Sequence, residues 1–407
     1  MPERGLAEAE RVELTVDAVA PGGHCVARVD GQVVFVRHAL PGERVVVEVT
    51  EVHRGFVRAD AVTVLEASPD RVEPPCPYAK PGACGGCDLQ HVAPEAQLAW
   101  KTAVVREQLI RLGGLTDAQL DRLGVRIEAL PGGLLGWRSR VRYAVDAADR
   151  AGLLKHRSHE VVPIDRCRIA HPAIQQLPVL SERWSAAEAV ETVASTGGDV
   201  TVTATHSGVG TPVSGPTEVR EVAAGREWTL PASAFWQVHP AAADTLATAV
   251  LELLDPRPGE TAWDLYGGAG LFAAALASRV GDARITLVES SADGVDAARA
   301  NLADLPRIEV VAARVETALA RRRITGPVDV VVLDPPRSGA GAQVVRDIAA
   351  AGPRAVAYVA CDPAAFARDV RTFTELGWRL AALRGFDLFP MTQHVEQVGL
   401  LLPPVGG

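Results

Sequence analysis

The chain has 407 residues, 48% of them hydrophobic and 22% charged, and a net charge of -9. That length suits two to four domains, and the composition excludes a disordered or fibrous chain. No apolar run nears the roughly 18 residues of a membrane span, and the acidic start lacks the apolar core of a signal peptide.

Residues 11–68 read as five short, valine-rich strands with turns at Asp30-Gly31 and Leu40-Pro41-Gly42. Five strands in so short a stretch predict a small closed barrel of the oligonucleotide-binding type. Residues 68–81 are proline-rich and read as a linker, which runs into a cysteine-rich stretch, Cys76 to His91. A helix is expected from Pro94 to Leu112, stopped by Gly113-Gly114. Strand-like runs at 138–145 and 160–164 and a helix near 173–184 predict an α+β middle region. From Pro240 onward, helices alternate with apolar strands at 261–265, 284–288, 307–311, 328–333 and 355–360. That alternation predicts a Rossmann-like, doubly wound parallel sheet. The expected domains are therefore 1–70, 71–235 and 236–407.

The negative net charge argues against a simple nucleic-acid coat, but residues 138–168 hold eight basic and four acidic side chains. Arg138, Arg140 and Arg142 alternate on a strand, and Lys155, His156 and Arg157 follow a turn. This is either a phosphate-tracking face or a solvated one.

Trp263-Asp264-Leu265-Tyr266-Gly267-Gly268-Ala269-Gly270 is a strand entering a glycine-rich turn, and Glu289 ends the next strand. Glycines let a cofactor approach the backbone, and an acid at that distance can accept ribose hydroxyls. The loop is not a full GxGxxG and no Lys-Ser/Thr pair follows, which favours S-adenosylmethionine over a dinucleotide. Two more strands deliver Asp334-Pro335-Pro336-Arg337 and Cys361-Asp362-Pro363 to the ligand-binding edge. A lone cysteine there would read as packing. Beside a cofactor loop and an acidic edge it reads as a nucleophile.

Six cysteines do not make a disulfide scaffold in a chain this long, and their spacing suits a reducing, cytoplasmic setting. Cys76, Cys84 and Cys87 form C-x7-C-x2-C, and Cys167 lies 80 residues further on. Four such thiolates fit either zinc or an iron–sulfur cluster. Cys25, inside the barrel, reads as a small buried residue.

Taken together, the segments 334–339, 358–363, 388–396 and 235–239 resemble the RNA uracil-5-methyltransferase family, and the resemblance spans nearly the whole chain. It implies that residues 1–68 form the small RNA-binding TRAM barrel. It implies Cys361 as the nucleophile that adds to uracil carbon 6 and Glu396 as the base that removes the carbon 5 proton. It assigns Gln237, Tyr266, Glu289 and Asp334 to the S-adenosylmethionine pocket. It also assigns Cys76, Cys84, Cys87 and Cys167 to a structural [4Fe-4S] cluster. The implied partner is a loop of ribosomal RNA, with transfer RNA as the other candidate, and no membrane or obligate protein partner is evident.

Two positions depart from the family pattern. Leu271 replaces a polar residue, and Asp362 replaces the asparagine that usually follows the nucleophile. Cytosine-5 RNA methylation and an RNA-binding iron–sulfur sensor without methyl transfer are the competing readings. The terminal His394-Val395-Glu396 segment favours uracil.

Overall fold

The computed structural model describes residues 5–404. The N-terminal unit has six strands: β1 (Arg11–Thr15), β2 (Ala18–Ala20), β3 (His24–Val29), β4 (Gln32–Arg37), β5 (Arg44–Val52) and β6 (Phe56–Glu66). They are ordered β1-β5-β6-β4-β3-β2. The first of the five expected strands bends at Val16-Asp17, so β1 pairs with β5 while β2 pairs with β3. One bent strand thus joins both ends of the sheet and closes the barrel. Alternate valines fill it, among them Val34, Val36, Val45 and Val47.

After the cysteine-rich stretch come α1 (Pro94–Arg111), α2 (Asp117–Leu123) and β7 (Ile127–Ala129). The middle sheet contains β8 (Arg140–Val145), β9 (Ala151–Leu154) and β10 (Val161–Pro163). After the short α3 (Pro172–Gln175) it continues with β11 (Ala189–Ala194), β12 (Val200–His206) and β13 (Val209–Ser214). The expected helix near 173–184 is only α3 followed by a single 3-10 turn. A separate hairpin, β14 (Glu218–Ala223) with β15 (Arg226–Pro231), leads into α4 (Ala242–Leu254).

The C-terminal half alternates β16 (Ala262–Leu265), α5 (Leu271–Val280), β17 (Ile285–Glu289), α6 (Ala292–Asn301), β18 (Ile308–Ala312), α7 (Val315–Ala320) and β19 (Val330–Leu333). Then follow α8 (Ala342–Ala351), β20 (Ala355–Ala360), α9 (Pro363–Glu375), β21 (Arg379–Asp387) and β22 (Glu396–Leu402). The eight-stranded order is β18-β17-β16-β19-β20-β22-β21-β7, with β18 through β20 parallel. Side chains alternate between two cores. Ala262, Val330 and Val332 face α4 and α5, whereas Trp263, Val331 and Leu333 face α8 and α9.

Strand order reverses between β16 and β19, so the crevice at their C-terminal ends is the switch point where such sheets bind ligands. The sheet also crosses the boundary expected at residue 236, because β7 pairs in parallel with β21.

Candidate active site

On the cofactor side, β16 ends in a turn where Tyr266, Gly268 and Gly270 all take positive φ. A Cβ at Gly267 would lie 2.5 Å from Leu287, and one at Gly270 would lie 2.5 Å from Leu302, so both positions demand glycine. At Gly268 nothing lies within 4 Å, which leaves that face of the loop open. Glu289 is tied across the loop. Its Oε2 accepts from Gly268 N–H at 2.9 Å, and its Oε1 accepts from Ser290 and Ser291 N–H, both at 2.6 Å. Tyr266 donates its hydroxyl to Glu316 at 3.4 Å, and burial raises its pKa, so the phenol stays protonated. Gln237 is half-buried between β15 and α4, beside Trp236, which packs on Trp228.

The other side is built from three strand ends. β19 delivers Asp334, β20 delivers Cys361, and β22 begins at Glu396. Ala360 pairs with Gln397 in the antiparallel β20–β22 register, and one further step sets Cys361 opposite Glu396. Glu396 is 4% exposed. Its carboxyl is pushed well up, first by burial and then by Asp334, with Arg337 opposing. Asp334 is raised to about 7 by burial. The Cys361 thiol is raised to about 12 by burial and then by Glu396 and Asp334, again with Arg337 opposing. Arg337 supplies positive charge that favours its thiolate.

Asp362 caps α9, its side chain accepting from Ala365 N–H at 2.7 Å. Asparagine and aspartate cap equally well, which gives this departure a structural reason. Cys361 thus sits just ahead of a helix N-terminus, a position that favours a thiolate over a thiol. Leu271 starts α5 and is buried in the core.

The 387–395 loop that precedes Glu396 is clamped from two directions. Lys101 on α1 donates to Asp387 at 2.6 Å and to the Phe389 carbonyl at 3.1 Å, in a pair almost wholly shut off from solvent. Gln97 accepts from Met391 N–H at 3.0 Å. From the cysteine-rich stretch, Asp88 and Leu89 N–H donate to the Met391 carbonyl, and the Asp88 carboxylate accepts from Gln393 N–H at 3.1 Å. Asp88 also faces Arg37 of the barrel at 3.4 Å.

Cys84, Cys87 and Cys167 have thiols raised first by burial, Cys84 to about 11, and the neighbouring thiols add to it. Cys84 feels Cys167 and Cys76, Cys87 feels Cys167 and Cys84, and Cys167 feels Cys76, so each thiol is within electrostatic reach of at least two others. Tyr78 draws the Cys76 arm toward Cys167, because its hydroxyl both donates to and accepts from Asp165 at 3.1 Å. Among the described residues no three His, Cys, Asp or Glu side chains close around one point as ligands of a single metal ion do. Cys25 is buried in the barrel and donates to the Ala39 carbonyl at 3.3 Å.

Of the two readings left open for the 138–142 face, neither describes Arg140. Arg140 is mostly buried and donates to Glu221 and to the carbonyls of Ala232 and Ala234, so it holds the hairpin. Arg142 is paired with Glu191.

Residues 7–62 match the model of the TRAM domain, and residues 224–404 match that of tRNA (uracil-5-)-methyltransferase. An uncharacterized RNA methyltransferase of Streptomyces avermitilis is 48% identical, over 98% of this chain and 99% of its own length. A 23S rRNA (uracil(1939)-C(5))-methyltransferase of Thiobacillus denitrificans is 33% identical, over 93% of this chain and 96% of its own. This chain belongs to the RNA uracil-5-methyltransferase family. Members use S-adenosylmethionine. The crystal structure of Pyrococcus abyssi tRNA (uracil-54, C5)-methyltransferase, with S-adenosyl-L-homocysteine, shares the fold at a TM-score of 0.73 and 21% identity. It covers 96% of this chain and 99% of its own.

One further carboxylate of this methyltransferase escapes the motif reading. Asp264 is wholly buried beneath the glycine loop, its Oδ2 accepting from Ala273 N–H at 2.8 Å while Oδ1 has no partner. Burial, then Asp334 and Glu289, raise it to about 7. The signal was an acid inside an otherwise apolar strand. Asp88 and Arg37 gave no such signal, since their partners lie far away in sequence.

Proposed function

We propose that the enzyme methylates carbon 5 of a uridine in RNA through a covalent adduct of Cys361 with carbon 6. The observation that carries this reading is the register that sets Cys361 opposite the buried Glu396, beside Asp334 at the switch point. Uracil carbon 5 is too weak a nucleophile on its own. Addition of the Cys361 thiolate at carbon 6 pushes an electron pair through the ring and makes carbon 5 nucleophilic. Bound S-adenosylmethionine supplies an electrophilic methyl group, and Gln237, Tyr266, Glu289 and Asp334 would hold it. The open face at Gly268 and the fixed Glu289 carboxylate fit that cofactor. Glu396, ionised at that stage, takes the carbon 5 proton, and the electrons of that bond expel the Cys361 thiolate. In the free enzyme its carboxyl is pushed toward the neutral form, so a nearby positive charge would help to ionise it.

Ribosomal RNA is the favoured substrate, in keeping with the Thiobacillus relative. Transfer RNA, named for the Pyrococcus enzyme, is the other. The target base must be unpaired or flipped, because carbon 6 is shielded within a stack. Cys76, Cys84, Cys87 and Cys167 would hold a structural [4Fe-4S] cluster. Each thiolate would take its own iron, which needs a wider set than one ion does. The free cysteines and the absence, among the described residues, of a helix long and apolar enough to cross a membrane fit a cytoplasmic enzyme.

The test supplies methyl-labelled S-adenosylmethionine with unmodified ribosomal and transfer RNA and identifies the labelled nucleoside. Label in 5-methyluridine is expected, and label in 5-methylcytidine moves the assignment to cytosine. Cys361→Ala is expected to lose adduct and turnover, whereas Glu396→Gln is expected to trap the adduct; wild-type turnover in either refutes that role. Calorimetric titration of Glu289→Ala with the cofactor is expected to show at least a tenfold loss of affinity, the scale of a lost charge-assisted hydrogen bond. Iron and sulfide analysis after anaerobic purification checks the cluster, and stoichiometric zinc without iron would overturn it.

A further inference from the structure

The turn that follows Asp334 is fastened by the helix that follows Cys361. Arg337 is exposed at the first central position of a turn that Gly339 N–H closes on the Pro336 carbonyl at 2.8 Å. Just past that turn the chain is pinned to α9. Asp369 on α9 is 4% exposed, and its Oδ2 accepts from Ala340 N–H at 2.8 Å and from Gly341 N–H at 3.3 Å. Tyr358 on β20 donates its hydroxyl to the same oxygen at 2.6 Å, and the Tyr358 oxygen accepts from Ala340 N–H at 3.1 Å. Burial and then the Asp369 charge keep the Tyr358 phenol protonated, so it stays a donor. A Cβ at Gly339, where φ is +85°, would stand 2.7 Å from that Asp369 oxygen, so glycine lets the turn come down onto α9.

A carboxylate is buried only where hydrogen bonds offset its lost hydration. Three donors do so here, and two of them belong to the loop that carries Arg337. Anchoring the start of α8, whose Gly341 has no side-chain cap of its own, would need no more than this. The placement does more. β19 and β20 are parallel neighbours with Leu333 opposite Tyr358, so the 334–341 loop and Cys361 leave the sheet at the same edge. Cys361 sits just ahead of α9, and Asp369 lies about two turns along it, so one rigid helix spaces the thiol from the anchor. Arg337 in turn counters the effect of burial, Glu396 and Asp334 on the Cys361 thiol. We infer that Asp369, with Tyr358, is a positioning residue: it locks the turn so that the Arg337 guanidinium keeps within electrostatic reach of the Cys361 sulfur and favours its thiolate. This rests on the proposed role of Cys361 as nucleophile.

The test reads the thiolate without RNA or S-adenosylmethionine, so failure of methyl transfer and failure of the positioning role are separate results. Full-length protein, purified anaerobically, is treated with iodoacetamide at a fixed pH, and the peptide containing Cys361 is followed by mass spectrometry. The reagent is neutral, so Arg337 does not steer it and the rate follows the thiolate fraction. Asp369→Ala is expected to slow Cys361 alkylation about fivefold and Tyr358→Phe about twofold, while Asp369→Asn, which keeps an acceptor, stays near the parent. Arg337→Gln is expected to slow it as much as Asp369→Ala, and the two substitutions together no further. A merely structural anchor gives the opposite sign, because a loosened pocket exposes the sulfur and speeds alkylation. Parent-like or faster alkylation in Asp369→Ala, or additive losses when it is combined with Arg337→Gln, would overturn the inference. Melting curves show which variants are folded. Where Asp369→Ala does not fold, Tyr358→Phe, alone and combined with Arg337→Gln, decides by the same readings.

Discussion

The Cys361 pocket and the cleft between the barrel and the β9–β10 turn differ in how their charges are balanced. One sets Asp334 and Glu396 beside the Cys361 thiol, with Arg337 opposing them. The other gathers Arg37, Arg58, Lys155 and Arg157 around His24 and His156, whose pKa values fall to about 4 through burial and the neighbouring arginines. In both regions burial drives groups toward their neutral forms. The acidic pocket suits a positively charged methyl donor and a proton transfer. In the cleft Glu8, Glu48, Glu51 and Asp60 face those cations, and the histidines add no charge near neutral pH. The comparison teaches that an acidic pocket admits an uncharged base more readily than a phosphate.

The two regions meet at the 387–395 loop, and the severest way to break the arrangement is there. Lys101→Met leaves Asp387 buried and unpaired, which is expected to cost about 3–5 kcal/mol of stability. A melting temperature within a degree or two of the parent would refute the pair's importance. Asp88→Ala removes the carboxylate that holds the loop at Gln393 and faces Arg37. The expected kcat loss is on the order of a hundredfold, with cofactor affinity retained. Asp88→Asn keeps the acceptor for Gln393 and is expected to recover most of the rate; if both variants fail alike, the Arg37 charge pair is what matters.

A gentler probe removes one charge from the acidic pocket. Folded Asp334 titrates near 7 against an ordinary 3.8, so the folded state keeps a proton that the unfolded chain has released. Stability therefore falls as pH rises through that window. Asp334→Asn is expected to melt like the parent near pH 4 and above it near pH 7, by a few kcal/mol at most. Equal melting at both pH values would mean that Asp334 is not strained by burial.

Much of this was legible in the sequence where local pattern decides structure. The strands carrying Asp334 and Cys361 are continuous apolar runs bounded by Pro and Gly, and they form as read. The glycine loop and Glu289 sit where their spacing suggests. What escaped was long-range. Nothing local to Arg140 announces Glu221, and nothing near Gln393 announces Asp88. The bend at Val16-Asp17 was hidden because valine continues through it. The buried role of Asp264 required knowing which helix covers its strand.

The smallest strand of the catalytic sheet bears on how the chain is born. β7 has three residues, and 256 positions separate its Glu128 from Arg384, the β21 side chain that grips it. During synthesis at about 5–20 residues per second, β7 emerges tens of seconds before its partner leaves the ribosome. A long bare edge would invite pairing with other nascent chains over that interval. Three residues offer too little backbone to recruit a stranger, so the sheet can wait for its last strand.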